Sequence, residues 1–110
     1  MEQQKIDQAF IALSHPVRRA LLERLAPGDL SVAEAAAPFD VTPSQMTKHL
    51  HILERAGLMS REKQGRVHKL HLEPDGMKEP ADWIQRHQHF WQSKLDALGE
   101  YLDGMETDNE

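Results

Sequence analysis

Apolar side chains recur at Ile6, Phe10 and Leu13, the i, i+4, i+7 stripe of an amphipathic helix, and this spacing predicts a first helix over residues 3–13. Pro16 then stands where its fixed φ and missing N–H suit a first helical turn. Val17, Leu21, Leu22 and Leu25 continue to the stop signal Pro27-Gly28, giving a second helix with Arg18, Arg19, Glu23 and Arg24 expected on its wet side. Ser31-Val32-Ala33-Glu34 reads as a capping box opening a short alanine-rich helix that ends near Pro38. Phe39-Asp40-Val41 connects it to a second capping box, Thr42-Pro43-Ser44-Gln45, and to a fourth helix that runs to Ala56-Gly57.

The period changes after Gly57. Residues 58–63 and 67–72 are two strand-like runs around Gln64-Gly65, with Leu70 and Leu72 alternating, and they predict a β-hairpin. Asp75-Gly76 and Pro80 punctuate a loop. Residues 81–103 then form one long predicted helix carrying Trp83, Ile84, Phe90, Trp91, Leu95, Leu98 and Leu102. The expectation is a single domain over residues 1–104 and an acidic, frayed tail over 105–110.

Composition narrows the classes. A chain of 110 residues with 39% hydrophobic and 5% aromatic content can bury only a modest core, so dimerisation is expected on size alone. No cysteine occurs, which removes disulfides, thiolate nucleophiles and cysteine-ligated zinc. The N-terminus has no signal pattern and no apolar run approaches the ~20 residues of a membrane span, so no membrane partner and a cytoplasmic location are expected. The net charge of −5 is unevenly spread: residues 42–71 hold six Lys/Arg against two acids, a net of +4, leaving −9 elsewhere. A basic middle in an acidic frame suits a polyanion, although a solvated face explains charge alone equally well.

Two short helices joined by a tight turn and followed by a hairpin describe a winged helix-turn-helix, mainly α with a small β wing. The element order is two helices, a short strand, two helices, the hairpin and a long helix. At about 100° per residue, Met46, Leu50 and Leu53 form the buried stripe of the fourth helix, and Ser44, Thr47, Lys48, His51 and Arg55 lie opposite. Every group on that outer face can hydrogen-bond and none is acidic. Hydroxyl and amide groups can read base edges, Lys48 can neutralise a phosphate, and the helix N-terminus at Thr42 to Ser44 favours anions. The hairpin adds Arg61, Lys63, Arg66, His68 and Lys69 around its turn, suited to gripping backbone phosphate.

The stretch Leu13-Ser14-His15-Pro16-Val17-Arg18-Arg19, continuing through Leu25, and the stretch Val41-Thr42-Pro43-Ser44-Gln45-Met46-Thr47-Lys48-His49-Leu50, continuing through Leu58, resemble the ArsR-type winged-helix transcriptional repressors. The resemblance spans residues 5–103 and includes the wing Lys63-Gln64-Gly65-Arg66. It implies a homodimer on a palindromic operator of double-stranded DNA, with Thr42, Ser44, Gln45, Thr47, Lys48 and His51 in the major groove and Arg55, Lys63 and Arg66 alongside. Asp40 stands where the family turn usually has glycine, and His15 replaces the commoner Asp as a weaker cap.

Many members of this family sense metals through a Cys-x-Cys pair, which is absent here. Asp82, His87 and His89 are badly spaced for the family's other site, because i, i+2 histidines on a helix point to different faces, as do His49 and His51. No metal and no cofactor are therefore expected. Ile84, Trp91 and Leu98 repeat every seven residues, interleaved with Leu95 and Leu102, and with Ile6 and Phe10 they form the expected dimer surface. The effector stays open, a small molecule or a protein, and the aromatics of the long helix could instead line a ligand pocket. With no phosphate loop, nucleophile elbow or HExxH motif, an enzyme is not expected. The remaining rival is a winged-helix module that binds protein.

Overall fold

The computed structural model describes residues 2–108. Its elements are α1 (Glu2–Leu13), α2 (Pro16–Leu25), β1 (Leu30–Ser31), α3 (Val32–Ala36), α4 (Pro43–Arg55), β2 (Met59–Gln64), β3 (Val67–Leu72), a 3-10 turn (Pro74–Met77) and α5 (Lys78–Asp108). The architecture is a winged helix-turn-helix, mostly helical with one antiparallel sheet in the order β1-β3-β2. Two compact units are distinguished, one through Pro80 and one formed by the helix from Ala81 onward.

Local chemistry sets the helix ends in the first unit. Both capping boxes form, Ser31 with Glu34 and Thr42 with Gln45, each side chain taking the other residue's backbone N–H. His15 caps α2 through Nδ1, which accepts from the Val17 N–H at 3.1 Å. At the end of α4 the N–H of Leu58 donates to the carbonyl of Leu53 and that of Gly57 to Glu54, a Schellman closure with Gly57 at φ 73°. The chain thereby turns sharply from α4 into the hairpin.

The hairpin pairs Met59 with Leu72, Arg61 with Leu70 and Lys63 with His68 on one face, and Ser60 with His71, Glu62 with Lys69 and Gln64 with Val67 on the other. Gly65 at φ 65° is followed by Arg66 at negative φ, the sign pattern of a type II′ turn. The core joins Leu21 and Leu25 of α2, Ala35 of α3, Met46, Leu50 and Leu53 of α4, and Leu58, Met59 and Leu70. The stripe expected on α4 is the buried one.

Three expectations are corrected. Arg18, placed on the wet side of α2, is only 7% exposed, because it lies three and seven residues before Leu21 and Leu25 on the buried stripe. Pro80, read as loop punctuation, is buried within the first turn of α5, where a missing N–H interrupts no hydrogen bond. The long helix, expected to stop at Asp103, continues through Gly104 to Asp108. Asn109 and Glu110, the end of the expected tail, lie outside the described residues.

Candidate nucleic-acid interface

The outer face of α4 carries all six of its expected groove residues in exposed positions, and Arg55 with them. They are not equally free. The Thr42 hydroxyl accepts from the Gln45 N–H at 3.1 Å, and the Gln45 carbonyl oxygen accepts from the Thr42 N–H at 3.0 Å. Each retains donors, the Thr42 O–H and the Gln45 amide NH₂. Thr47 donates its hydroxyl to the Pro43 carbonyl at 2.9 Å and keeps only acceptor capacity. Among the described residues the side chains of Ser44, Lys48, His51 and Arg55 have no protein partner, so their full hydrogen-bonding capacity faces outward.

On the wing, Lys63 and Arg66 are exposed and likewise unpartnered among the described residues, with His68 across the strand from Lys63. Arg61 behaves otherwise. It points with Met59 toward α4, and its guanidinium meets the Glu54 carboxylate at 2.7 Å, tying the hairpin to the recognition helix. That ion pair sets Arg61 apart from the free wing cations expected to grip phosphate. Lys69 is half-buried on the opposite face of the hairpin from Lys63. Two of the four wing Lys/Arg side chains thus remain fully available, together with His68.

Behind the interface sits a polar joint that the hydrophobic pattern did not announce. Arg18 donates through Nε to the Ala12 carbonyl at 2.9 Å, through one terminal nitrogen to the Ile11 carbonyl at 2.9 Å, and through the other to His49 Nδ1 at 3.1 Å. A guanidinium only donates, so Nδ1 of His49 is bare and its proton sits on Nε2. His49 is 9% exposed, and its ring lies 4.5 Å from that of His15. Burial first, then the neighbouring His15 and Arg18, hold its pKa below the ordinary histidine value.

In the second unit, α5 exposes Ile84, Trp91, Leu95, Leu98 and Leu102, the expected seam, together with Phe90 and Tyr101. Ile6 and Phe10 of α1 are half-buried. His87 stacks on Trp83 at 3.8 Å and its Nδ1 meets the Trp83 carbonyl at 2.8 Å, so it is engaged within its own helix. Among the described residues no helix is long and apolar enough to cross a membrane.

Comparison with known proteins identifies the same segments. Residues 13–62 match the family model described as a helix-turn-helix domain. The chain is 31% identical to the HTH-type transcriptional regulator Rv2034 of Mycobacterium tuberculosis over 102 residues, covering 93% of this chain and 92% of that protein. It is 27% identical to the transcriptional repressor SdpR of Bacillus subtilis over 79 residues, covering 72% and 88%. The crystal structure of the ArsR family transcriptional regulator RHA00566 superposes with a TM-score of 0.77 at 36% identity, covering 83% of this chain and 94% of that one.

Proposed function

The chain belongs to the ArsR family of helix-turn-helix transcriptional regulators, DNA-binding proteins and not enzymes, and from that premise we propose that it is a homodimeric repressor of a palindromic operator. Two copies of α4 would enter successive major grooves about 34–36 Å apart, with the wings on the flanking backbone, and so occlude a promoter. Ser44, Thr47, Lys48 and His51 are the base-edge readers in this reading. Thr42 and Gln45 contribute their remaining donors, and Arg55, Lys63 and Arg66 neutralise phosphates.

The observation that carries it is the division of α4 into two faces. One holds Met46, Leu50 and Leu53 in the core, while the other presents Ser44, Lys48, His51 and Arg55, whose side chains have no partner among the described residues. A protein-binding winged helix would favour apolar or acidic groups there. Repression is supported by the similarity to a transcriptional repressor.

Dimerisation is assigned to the seam of α5, Ile84, Trp91, Leu95, Leu98 and Leu102, together with Ile6 and Phe10. Large apolar side chains exposed along one helix are ordinarily an interface. In this reading residues 1–104 act as one domain in the cytoplasm, and the effector is a small molecule or a protein.

The test is fluorescence anisotropy of a labelled duplex from the protein's own upstream region, against a scrambled duplex, at two salt concentrations. Saturable, salt-sensitive binding at least about a thousandfold tighter than to the scramble is expected. No binding at low salt would favour the protein-interaction module instead.

A further inference from the structure

On the flank of α4, beside the recognition face, lies a depression of about 330 Å³ to which His15 and Arg18 of α2 and Gln45, Lys48 and His49 of α4 contribute. No carboxylate is among the described residues that line it. Arg18 is buried, yet its guanidinium bonds only to carbonyls, the Ser14 hydroxyl and an imidazole, so its charge has no counter-ion among the described residues. The carbonyls at the end of α1 solvate this charge but no carboxylate neutralises it, so a positive potential remains at the nearest cavity. His49 adds a directed donor. With Nδ1 facing Arg18, its Nε2–H has no partner among the described residues although the side chain is nine-tenths buried, and His49 lines the depression. The free NH₂ of Gln45 and the ammonium of Lys48 complete a set made only of donors, as required to hold a tetrahedral oxyanion.

We infer that this depression binds a phosphate group, drawn either from the DNA backbone beside the groove that α4 reads or from a free phosphorylated small molecule. Lys48 lies at the border of both surfaces, so a phosphate seated here would draw its side chain from the groove toward the flank. The DNA source rests on α4 docking in the major groove, whereas the free source does not.

The groups facing His49 are His15 and Arg18 from α2 and Lys48 from its own helix, while α1 contributes only carbonyl oxygens through Arg18. An anion beside Arg18 and Lys48 would raise the titration of His49. The full chain carrying ¹⁵N-labelled histidine is titrated with inorganic phosphate, with sodium chloride of equal ionic strength as the control, and then with the upstream duplex in phosphate-free buffer. The control variant is His49→Asn, whose side-chain oxygen can take the place of Nδ1 for Arg18 while its shorter amide NH₂ falls short of the position of Nε2.

With phosphate and not with chloride, the His49 Nε2 resonance is expected to move saturably and its titration midpoint to rise. If the duplex moves it too, and His49→Asn weakens duplex binding with little change in salt slope, as for the loss of a neutral donor, the phosphate is that of the backbone. If the duplex binds without moving that resonance, and binds the variant as tightly as the wild type, the phosphate is a free one. A His49 resonance unmoved both by inorganic phosphate and by a duplex whose binding is seen in anisotropy overturns the site. A duplex that fails to bind at all counts against the operator and leaves the phosphate titration to decide. The same wild-type titration decides if the variant does not fold.

Discussion

Arg18 of α2 and His49 of α4 meet at 3.1 Å, guanidinium to imidazole Nδ1, beside the apolar core and with the His15 ring 4.5 Å from that of His49. The same guanidinium takes the carbonyls of Ile11 and Ala12 at the C-terminal end of α1, where the helix dipole favours positive charge. One side chain therefore fixes α1, α2 and the recognition helix against one another.

Arg18→Met should lower unfolding free energy by about 2–4 kcal/mol, because two carbonyls and one imidazole nitrogen lose their donor in a buried site. Urea denaturation measures it. A change within about 0.5 kcal/mol, the range of ordinary surface substitutions, would show that the joint contributes nothing.

The two perturbed histidines should titrate in a fixed order. Asp29 accepts from His71 at 2.6 Å, and this hydrogen bond and the carboxylate charge raise the His71 pKa. Burial, then His15 and Arg18, lower that of His49. The His71 contribution to stability is thus complete below its unfolded pKa, about 6.5, and is lost as pH rises through the higher folded value. For His49 the sign reverses: stability is complete above the unfolded pKa and falls as pH drops below it toward the folded value. Proton NMR of the imidazole C2 positions should find His71 titrating above His49, and the opposite order would refute both environments.

Wing cations should divide by their partners. Lys63→Ala and Arg66→Ala should each reduce the slope of log K against log salt by about 0.9, as for one lost phosphate contact. Arg61→Gln should leave the slope unchanged, because its charge already faces Glu54. Equal slope changes for all three would return Arg61 to the phosphate.

Much of this interface was legible in the sequence because it depends on local signals. Thr42, Pro43 and Gln45 announce the start of α4, Gly57 its end and Gly65 the wing turn, and each acts through its immediate neighbours. The Arg18–His49 joint was not legible from residue type, which alone puts an arginine and a histidine on a wet face. Arg18 keeps helical spacing with Leu21 and Leu25, and His49 with Met46 and Leu53, so each stands on a buried stripe. Two polar residues on the buried stripes of different helices are candidates for one another. Likewise, Arg61 shares the inward strand face with Met59.

Gly76→Ala should destabilise the fold by about 1–3 kcal/mol, since a Cβ there would stand 2.1 Å from the Gly57 carbonyl oxygen and 2.7 Å from its carbon, both backbone atoms. Gly99→Ala on α5 meets nothing within 4 Å and should stabilise its helix by about 0.5–1 kcal/mol. Thermal melts of the two variants should move in opposite directions, and a Gly76→Ala melt at the wild-type temperature would refute the close approach.

Trp91→Ala combined with Leu98→Ala should convert the dimer to a monomer while leaving the first unit folded, since both side chains are exposed in the single chain, Trp91 at 62%. Sedimentation velocity with circular dichroism decides it. A stable dimer after both changes would move the interface away from the seam.

The reciprocal bonds between Thr42 and Gln45 bear on how a protein of this kind can change its target. These two side chains begin the helix as well as facing outward, so replacing either to read a new base would also weaken the helix start, by about 1 kcal/mol for a lost cap. Ser44, Lys48 and His51 carry no such duty. Drift toward a different operator, or deliberate retargeting, should accumulate at those three positions while Thr42 and Gln45 stay fixed.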